Sequence, residues 1–397
     1  MSSGTGNPSQ PGTPRLLRAI NDRAALELLL EQGPLSRTQL GQLTGLSKPT
    51  ASQLLARLES AGLVVPVGTT AGRPGPGAQL YEINPRAAYV AGLDVSSERI
   101  RIAIADITGA IVTEHRLPLQ SHVAPGDALA QVTTALDTAT AAAGLERSLL
   151  KQVVIGTPGA LDPTTGLLRY APHLIGWQSA HLVAELTEAL GVPVALENDV
   201  NLAAVAEQRV GLAQGVQDFV LLWVEAGIGA ALVLGGRMHR GHTGGAGEIG
   251  YMPMPGAPLI KNVDLETENS GGFQELAGAP AVLTLAAEHG LSGATAQEVV
   301  AEALTRDEEG FLRTLAERMA TGLAALVAVV DPELVVLSGQ VPRAGGERLR
   351  SLVQEELSGL AIPRPRLLLS ELSGPPVVVG ALQTALATAR EQVFSTH

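Results

Sequence analysis

Residues 35–63 constrain this chain more than any other stretch, because they read as two short helices joined by a tight turn. Ser36 stands before the first helix, where its hydroxyl can accept from a backbone N–H that the helix leaves unpaired. Leu40 and Leu43 follow at i, i+3 spacing as the expected inward face. Gly45 marks the stop. Ser47 is the expected cap of the second helix, and Pro49 lies in its first turn, where a missing N–H costs nothing. Leu54, Leu55 and Leu58 then face inward, which turns Lys48, Thr50, Ser52, Gln53 and Arg57 outward. A solvated helical hairpin satisfies the same spacing, so the following residues decide. Residues 63–67 and 79–83 read as strands, and 68–77 between them is rich in turn formers. Helix pair and hairpin together predict a winged helix whose second helix enters a DNA major groove. The candidate DNA contacts are Arg37, Ser47, Lys48, Thr50, Ser52, Gln53 and Arg57, with Arg73 at the loop tip placed for the minor groove or a phosphate.

Charge agrees with a contact confined to that region. Residues 1–86 carry a net +3, whereas the whole chain carries −12, leaving −15 for the remainder. An acidic body is repelled by phosphate and leaves the mildly basic head to bind double-stranded DNA. A chain of 397 residues needs two or three domains. Apolar residues make up 45% and aromatics only 3%, so Leu, Val and Ala build the core. No apolar run approaches the roughly 18 residues that span a bilayer. Residues 1–14 lack the order of a signal peptide and read as a disordered tail, so a cytoplasmic protein without membrane contact is expected. The absence of cysteine excludes disulfides and thiolate metal sites.

Residues 16–30 read as a helix that packs beneath the winged helix through Leu16, Leu17, Ile20, Ala24 and Leu28. Beyond residue 87 the pattern changes to alternating strands and helices. Strands are expected at 89–96, 100–106, 110–117, 152–156 and 192–196, with helices at 127–143, 181–190 and 199–209. The theme recurs with strands at 218–224, 228–234, 334–337 and 366–369 and a long helix at 311–330. Two halves that each open on a strand hairpin predict a duplicated α/β domain with a cleft between the lobes.

The motifs Gly92-Leu-Asp-Val95, Gly156-Thr-Pro-Gly159, Glu197-Asn-Asp-Val-Asn201, Gly227-Ile-Gly229, Gly244-Gly-Ala-Gly-Glu-Ile-Gly250 and Asp331-Pro-Glu-Leu-Val-Val-Leu-Ser-Gly339 occur in this order. In that series the chain resembles the ROK family of bacterial sugar kinases and of regulators that carry the same domain behind a winged helix. The resemblance implies an actin-like, two-lobed ATPase fold for residues 88–397 after a DNA-binding head over 15–87. It implies that Asn198 and Asp199 hold sugar hydroxyls, Asp199 at the position of the kinases' general base. The same Asn-Asp pair also fits a plain helix cap. Glu248 is then a second sugar acceptor, and Gly159 brings backbone close to the ligand or makes a turn. By the same resemblance His173 and Trp177 border the cleft, where a structural role is expected.

The departures from the family pattern carry the functional expectation. The phosphate loop that normally reads Asp-x-Gly-Gly-Thr is Asp94-Val-Ser-Ser-Glu98, and Gly-Thr-Gly-Ile-Gly has become Glu225-Ala-Gly-Ile-Gly229. An acid near 4 Å from a phosphate costs about 1–4 kcal/mol depending on local dielectric. Kinase activity is therefore expected to be lost, with Asp199 a vestigial base. The family's zinc site has gone too: Tyr251 takes its His position, and its cysteines are missing. Tyr251 and Gln274, the latter where the family has a sugar-contacting Glu, can still bind hydroxyls. The expectation is a sugar- or amino-sugar-responsive repressor, a homodimer or homotetramer, with no cofactor and no metal. An active sugar kinase with a DNA-binding head is the alternative.

Overall fold

The computed structural model describes residues 14–69, 77–119, 127–171, 174, 176–260 and 271–395. It opens with α1 (Pro14–Gln32), β1 (Leu35–Ser36), α2 (Arg37–Thr44), α3 (Lys48–Ser60), β2 (Val64–Thr69) and β3 (Gln79–Ile83). The three strands form one sheet in the order β1-β3-β2, the wing. Local chemistry accounts for the helix ends. The Ser36 hydroxyl accepts from the Gln39 N–H while the Gln39 side chain accepts from the Ser36 N–H, a reciprocal capping box. Gly45 closes α2 at φ 71°, and Ser47 caps α3.

Two expectations about faces are corrected. Leu43 points to solvent, and α2 packs through Leu40 and Gly41 instead. On α1, Leu16, Leu17 and Ile20 are more than half exposed, whereas Asp22, Ala25, Leu26 and Leu29 are buried. The docking partners of α1 select a stripe rotated from the one that sequence spacing favours.

Two lobes of the same topology follow. In the first, β4 (Tyr89–Val95), β5 (Arg99–Asp106), β6 (Ile111–Pro118), β7 (Leu150–Thr157) and β10 (Val194–Asn198) form a sheet ordered β10-β7-β4-β5-β6. The hairpin strands pair antiparallel, while β7 and β10 join parallel. Helices α4 (Asp127–Ala143) and α5 (Leu182–Leu190) cover one face, and a small hairpin, β8 (Ala160–Leu161) with β9 (Leu168–Arg169), follows β7. Helix α6 (Asp199–Val210) leads to the second lobe. There β11 (Phe219–Val224), β12 (Ile228–Leu234), β13 (Arg237–His239), β14 (Leu334–Ser338) and β15 (Arg366–Leu369) repeat the scheme as β13-β12-β11-β14-β15. Its core is completed by α7 (Gln274–Ala277), α8 (Ala279–Glu288), α9 (Ala296–Thr305), α10 (Glu309–Val330) and α11 (Gln340–Leu360). The duplication read from the strand pattern is therefore the architecture of the chain.

The last helix, α12 (Pro376–Ser395), returns to the first lobe and is not marked by sequence periodicity. It lies on β4 and β7 and against α6 so closely that a Cβ on Gly380 would stand 1.8 Å from the Leu202 carbonyl oxygen. Side chains from α1, α2, α3, β4 and α12 belong to one continuous apolar core that includes Leu26, Leu58, Val90, Leu382 and Phe394. The head is thereby built onto the first lobe. No helix among the described residues is long and apolar enough to cross a membrane.

Candidate functional site

Between the lobes, at the C-terminal ends of β4, β7, β10, β11 and β14, lies a cleft of about 1430 Å³. Parallel strands end there and their loops diverge, which is where open α/β sheets take ligands. Gly159, Asn198, Asp199, Glu248, Tyr251 and Gln274 all line it. The sequence thus named six residues that the fold brings to one cavity.

Their side chains are differently engaged. Asn198 is the cap of α6: its Oδ1 accepts from the Asn201 N–H at 2.9 Å, and its Nδ2 donates to the Gly159 carbonyl at 2.9 Å. Gly159 adopts φ 79°, and a Cβ there would meet the Arg169 carbonyl oxygen at 2.1 Å. Glycine is required because β9 packs onto this turn. Asp199 accepts from the Val200 N–H at 2.8 Å. Burial raises its carboxyl to about 8, opposed by that hydrogen bond and reinforced by the negative Asp94, Glu248 and Glu225 nearby. Burial likewise raises Glu248 to about 7. Gln274 departs from its expected part. Its Oε1 accepts from the Ile228 N–H at 3.0 Å and its Nε2 donates to the Ala226 carbonyl, so the amide braces the turn between β11 and β12.

At the end of β10, Glu197 receives Arg240 at 2.7 Å and Asn201 at 2.9 Å, clasping the first lobe to the loop after β13. Trp177 belongs to the core of the first lobe, and His173 lies outside the described residues.

The end of the cleft formed by the β4–β5 turn and the β11–β12 turn holds more positive charge than the motifs announce. Asp94, Glu98 and Glu225 line it, as expected, but Arg99, Arg101 and Arg116 do so as well. Asp94 stands opposite Arg101 across the β4–β5 ladder and meets it at 3.6 Å. Glu98 is largely exposed and lies 3.8 Å from Arg99. Burial raises the carboxyls of Asp94 and Glu225, and Arg101 and Arg99 oppose both shifts. The acids are announced by the motifs, whereas the arginines are not; the alternation of Arg99 and Arg101 along β5 is the signal the sequence offers for them.

Residues of the family's zinc site do not fit a metal here. The chain has no cysteine, and no group of three metal-ligating side chains occurs among the described residues.

On the head, Arg37, Lys48, Thr50 and Gln53 are exposed. The hydroxyls of Ser47 and Thr50 bond to each other at 2.8 Å, and Ser52 donates to the Lys48 carbonyl at 2.8 Å. Arg57 does not project freely: it grips the buried Asp22 of α1 at 2.6 Å, and so ties α3 to α1. Arg73 lies outside the described residues.

Comparison with known proteins fits this arrangement. Residues 90–387 match the ROK family, and residues 20–73 match the MarR family. A xylose repressor of Caldicellulosiruptor bescii is 23% identical over 394 residues, covering 95% of this chain and 98% of that protein. Among solved structures, a ROK family transcriptional regulator, a homolog of the E. coli MLC protein, superposes with a TM-score of 0.74 at 19% identity, over 96% of this chain and all of that one. A ROK hexokinase from Thermus thermophilus is 29% identical, with a TM-score of 0.62 over 76% of this chain and 99% of its own. The chain belongs to the ROK family, with a MarR-type winged helix ahead of its two-lobed domain.

Proposed function

We propose that the protein is a transcriptional regulator, a repressor of carbohydrate genes, whose DNA binding is controlled by a sugar or amino sugar in the interlobe cleft. In this reading residues 15–87 bind operator DNA and residues 88–397 receive the effector and form a homodimer or homotetramer. One observation carries it. Helix α6 starts at the cleft with Asn198 as its cap and Asp199 as its first residue, and Leu202 on that helix belongs to the apolar core that continues through α12 into the head. A ligand that moves the start of α6 therefore pulls on the scaffold of the DNA-binding helices. The coupling needed is only about 1–3 kcal/mol.

Lys48 and Gln53 on α3, with Arg37 at the start of α2, supply the reach into the groove, while Arg57 acts through its bond to Asp22. In the cleft, Asn198, Asp199 and Glu248 bind hydroxyls, and turnover is lost because Glu98 and Glu225 replace phosphate-binding hydroxyls. The hexokinase relative and the intact cleft favour the alternative of a working kinase enough to require its own assay.

The experiment is Asp199→Ala, tested on DNA fragments selected from the source genome by the purified protein. Operator binding should survive and sugar-dependent release should vanish. Equal release in wild type and variant would overturn the reading, as would sugar-dependent ADP formation at the rate of a true kinase.

A further inference from the structure

Tyr170 follows β9 with φ 62°, a left-handed conformation that bulky side chains rarely adopt. Asp307 and Asp331, the other non-glycine residues in this region among those described, are of a type that tolerates it. The strain is held in place by its surroundings. The β8–β9 hairpin is anchored by Arg169 on the buried Asp162 at 2.7 Å. Gly159 admits the Arg169 carbonyl to a place where any Cβ would collide. From the second lobe, Gly245 makes room for the ring: a Cβ there would lie 3.1 Å from Tyr170 ring atoms. The Tyr170 ring meets that of Tyr251, with centroids 5.9 Å apart and planes tilted by 41°. Both tyrosines line the cleft beside Gly159, Asp199 and Glu248. By the family resemblance Tyr251 takes the position of a zinc-binding histidine, and here its ring makes an aromatic contact between the lobes.

The cleft thus has a polar side and an aromatic side. Faces of aromatic rings are electron-rich and attract weakly positive C–H groups, as they attract cations. Seven acids and four arginines line the cleft, and Asp94, Glu98 and Glu225 oppose Arg99 and Arg101, so the excess of acid disfavours an anionic ligand. We propose that Tyr170 and Tyr251 form the wall on which the effector ring lies, selecting an uncharged pyranose with a flat C–H face and rejecting phosphorylated sugars and epimers with an axial hydroxyl on that face. This rests on the sugar-responsive reading above. The strained Tyr170 is kept because it holds the ring face toward the ligand, the usual reason such a conformation persists at a binding site.

Titration calorimetry of the full-length protein with D-glucose, D-xylose, D-galactose and D-glucose 6-phosphate tests it, together with Tyr170→Gly, Tyr170→Phe, Tyr251→Leu and Tyr251→Phe. D-Glucose or D-xylose should bind at least about tenfold more tightly than D-galactose or the phosphate. Tyr251→Leu should lose about tenfold in affinity, and both Phe variants should stay within about threefold of wild type. Tyr170→Gly separates a binding role from a packing role, since glycine relieves the backbone strain. In its melting temperature the relieved strain and the lost ring contacts oppose each other, while its affinity for the sugar should fall about tenfold. Unchanged affinity in Tyr170→Gly and Tyr251→Leu, or preference for the phosphorylated sugar, overturns the aromatic wall while leaving a sugar-responsive protein. Failure of all four ligands to bind overturns the wall as a site for neutral pyranoses, whereas the sugar- or amino-sugar-responsive reading stands or falls with the release assay on Asp199→Ala.

Discussion

The contact between α6 and α12 can be tested by a single methyl group. A Cβ on Gly380 would stand 1.8 Å from the Leu202 carbonyl oxygen, 2.5 Å from its carbonyl carbon and 3.0 Å from its Cα. All three are backbone atoms of a helix, so no rotamer change relieves the clash. Reaching even the tightest ordinary separation requires the two helices to part by roughly 1.2 Å. That gap forfeits a quarter to a half of the dispersion energy of the neighbouring contacts. Val377 and Leu382 on α12 and Leu202 on α6, all buried, lose partners together. Overpacking of this kind costs about 1–3 kcal/mol. Against it, Gly→Ala within a helix gains roughly 0.5–1 kcal/mol, so Gly380→Ala should destabilise by a net of about 0.5–2 kcal/mol. The control is Gly359→Ala near the end of α11, an exposed position where nothing lies within 4 Å of the added atom. It should be neutral or stabilising. Urea denaturation followed by circular dichroism reads both, as a shift in midpoint at constant slope. Gly380→Ala with the same midpoint as Gly359→Ala would refute the close approach and the coupling built upon it.

Two further predictions follow from the head and the cleft. Arg57→Ala strands the buried Asp22 carboxylate and should cost about 1–3 kcal/mol of stability, whereas Lys48→Ala should leave the melting curve unchanged and lower the salt slope of DNA binding by about one; a melting series and a salt titration of duplex affinity check the pair, and a destabilised Lys48→Ala with a stable Arg57→Ala would reverse the assignment. Asp199 and Glu248 titrate in the folded chain near 8 and 7, above their unfolded values, so the folded state holds more protons between about pH 4 and 8 and its stability falls as pH rises through that window. Each group contributes a slope of up to about 1.4 kcal/mol per pH unit. Hydroxyls that donate to these carboxylates favour the ionised form, so sugar affinity should rise from pH 6 to 9 with proton release, measured by calorimetry in buffers of different ionisation enthalpy; proton uptake would contradict it.

What the sequence disclosed was mostly what is decided locally. The capping box at Ser36, the αL stop at Gly45 and the Ser47 cap depend on residues within four positions of one another, and each can be read from a short window. The cleft residues became legible through the motif series rather than through periodicity. What stayed hidden was decided at long range. Residues 16, 17 and 20 and residues 22, 25, 26 and 29 are both acceptable helical stripes, and only the neighbouring elements choose the second. Arg57 reads as an outward residue of α3 until Asp22, 35 positions earlier, is folded beside it. Helix α12 opens on Pro375-Pro376, runs through three valines and carries Gly380, all of which read as strand or turn. It is helical because it is enclosed by α6, β4 and β7 and needs no polar face along most of its length. The arginines of β5 escaped for a related reason: their meaning depends on Asp94 across the ladder and Glu225 in the other lobe.

The position of α6 explains how a cleft and a head can share a state. Val200, Ala203 and Ala204 pack into the core of the second lobe, with Phe219, Leu221 and Ala231. Leu202, on another face of the same helix, packs into the core shared by the first lobe, α12 and the head. Near its C-terminal end, the buried Glu207 accepts from the Ser370 hydroxyl just after β15 at 2.5 Å. The helix is therefore held by both lobes, and its N-terminus carries the Asp199 carboxyl. A rigid rod gripped at two places cannot follow one lobe without disturbing its seat on the other. The head's own core is continuous with that of the first lobe through α12, so a shift of α6 against α12 reaches α1 by contact alone. Gly380 matters here for a second reason. Backbone-to-backbone contact leaves no flexible side chain to absorb a displacement, so a movement at Leu202 is passed to α12 rather than dissipated. In the regulator proposed above, this is the route by which a ligand between the lobes alters how the winged helix meets DNA, without touching it.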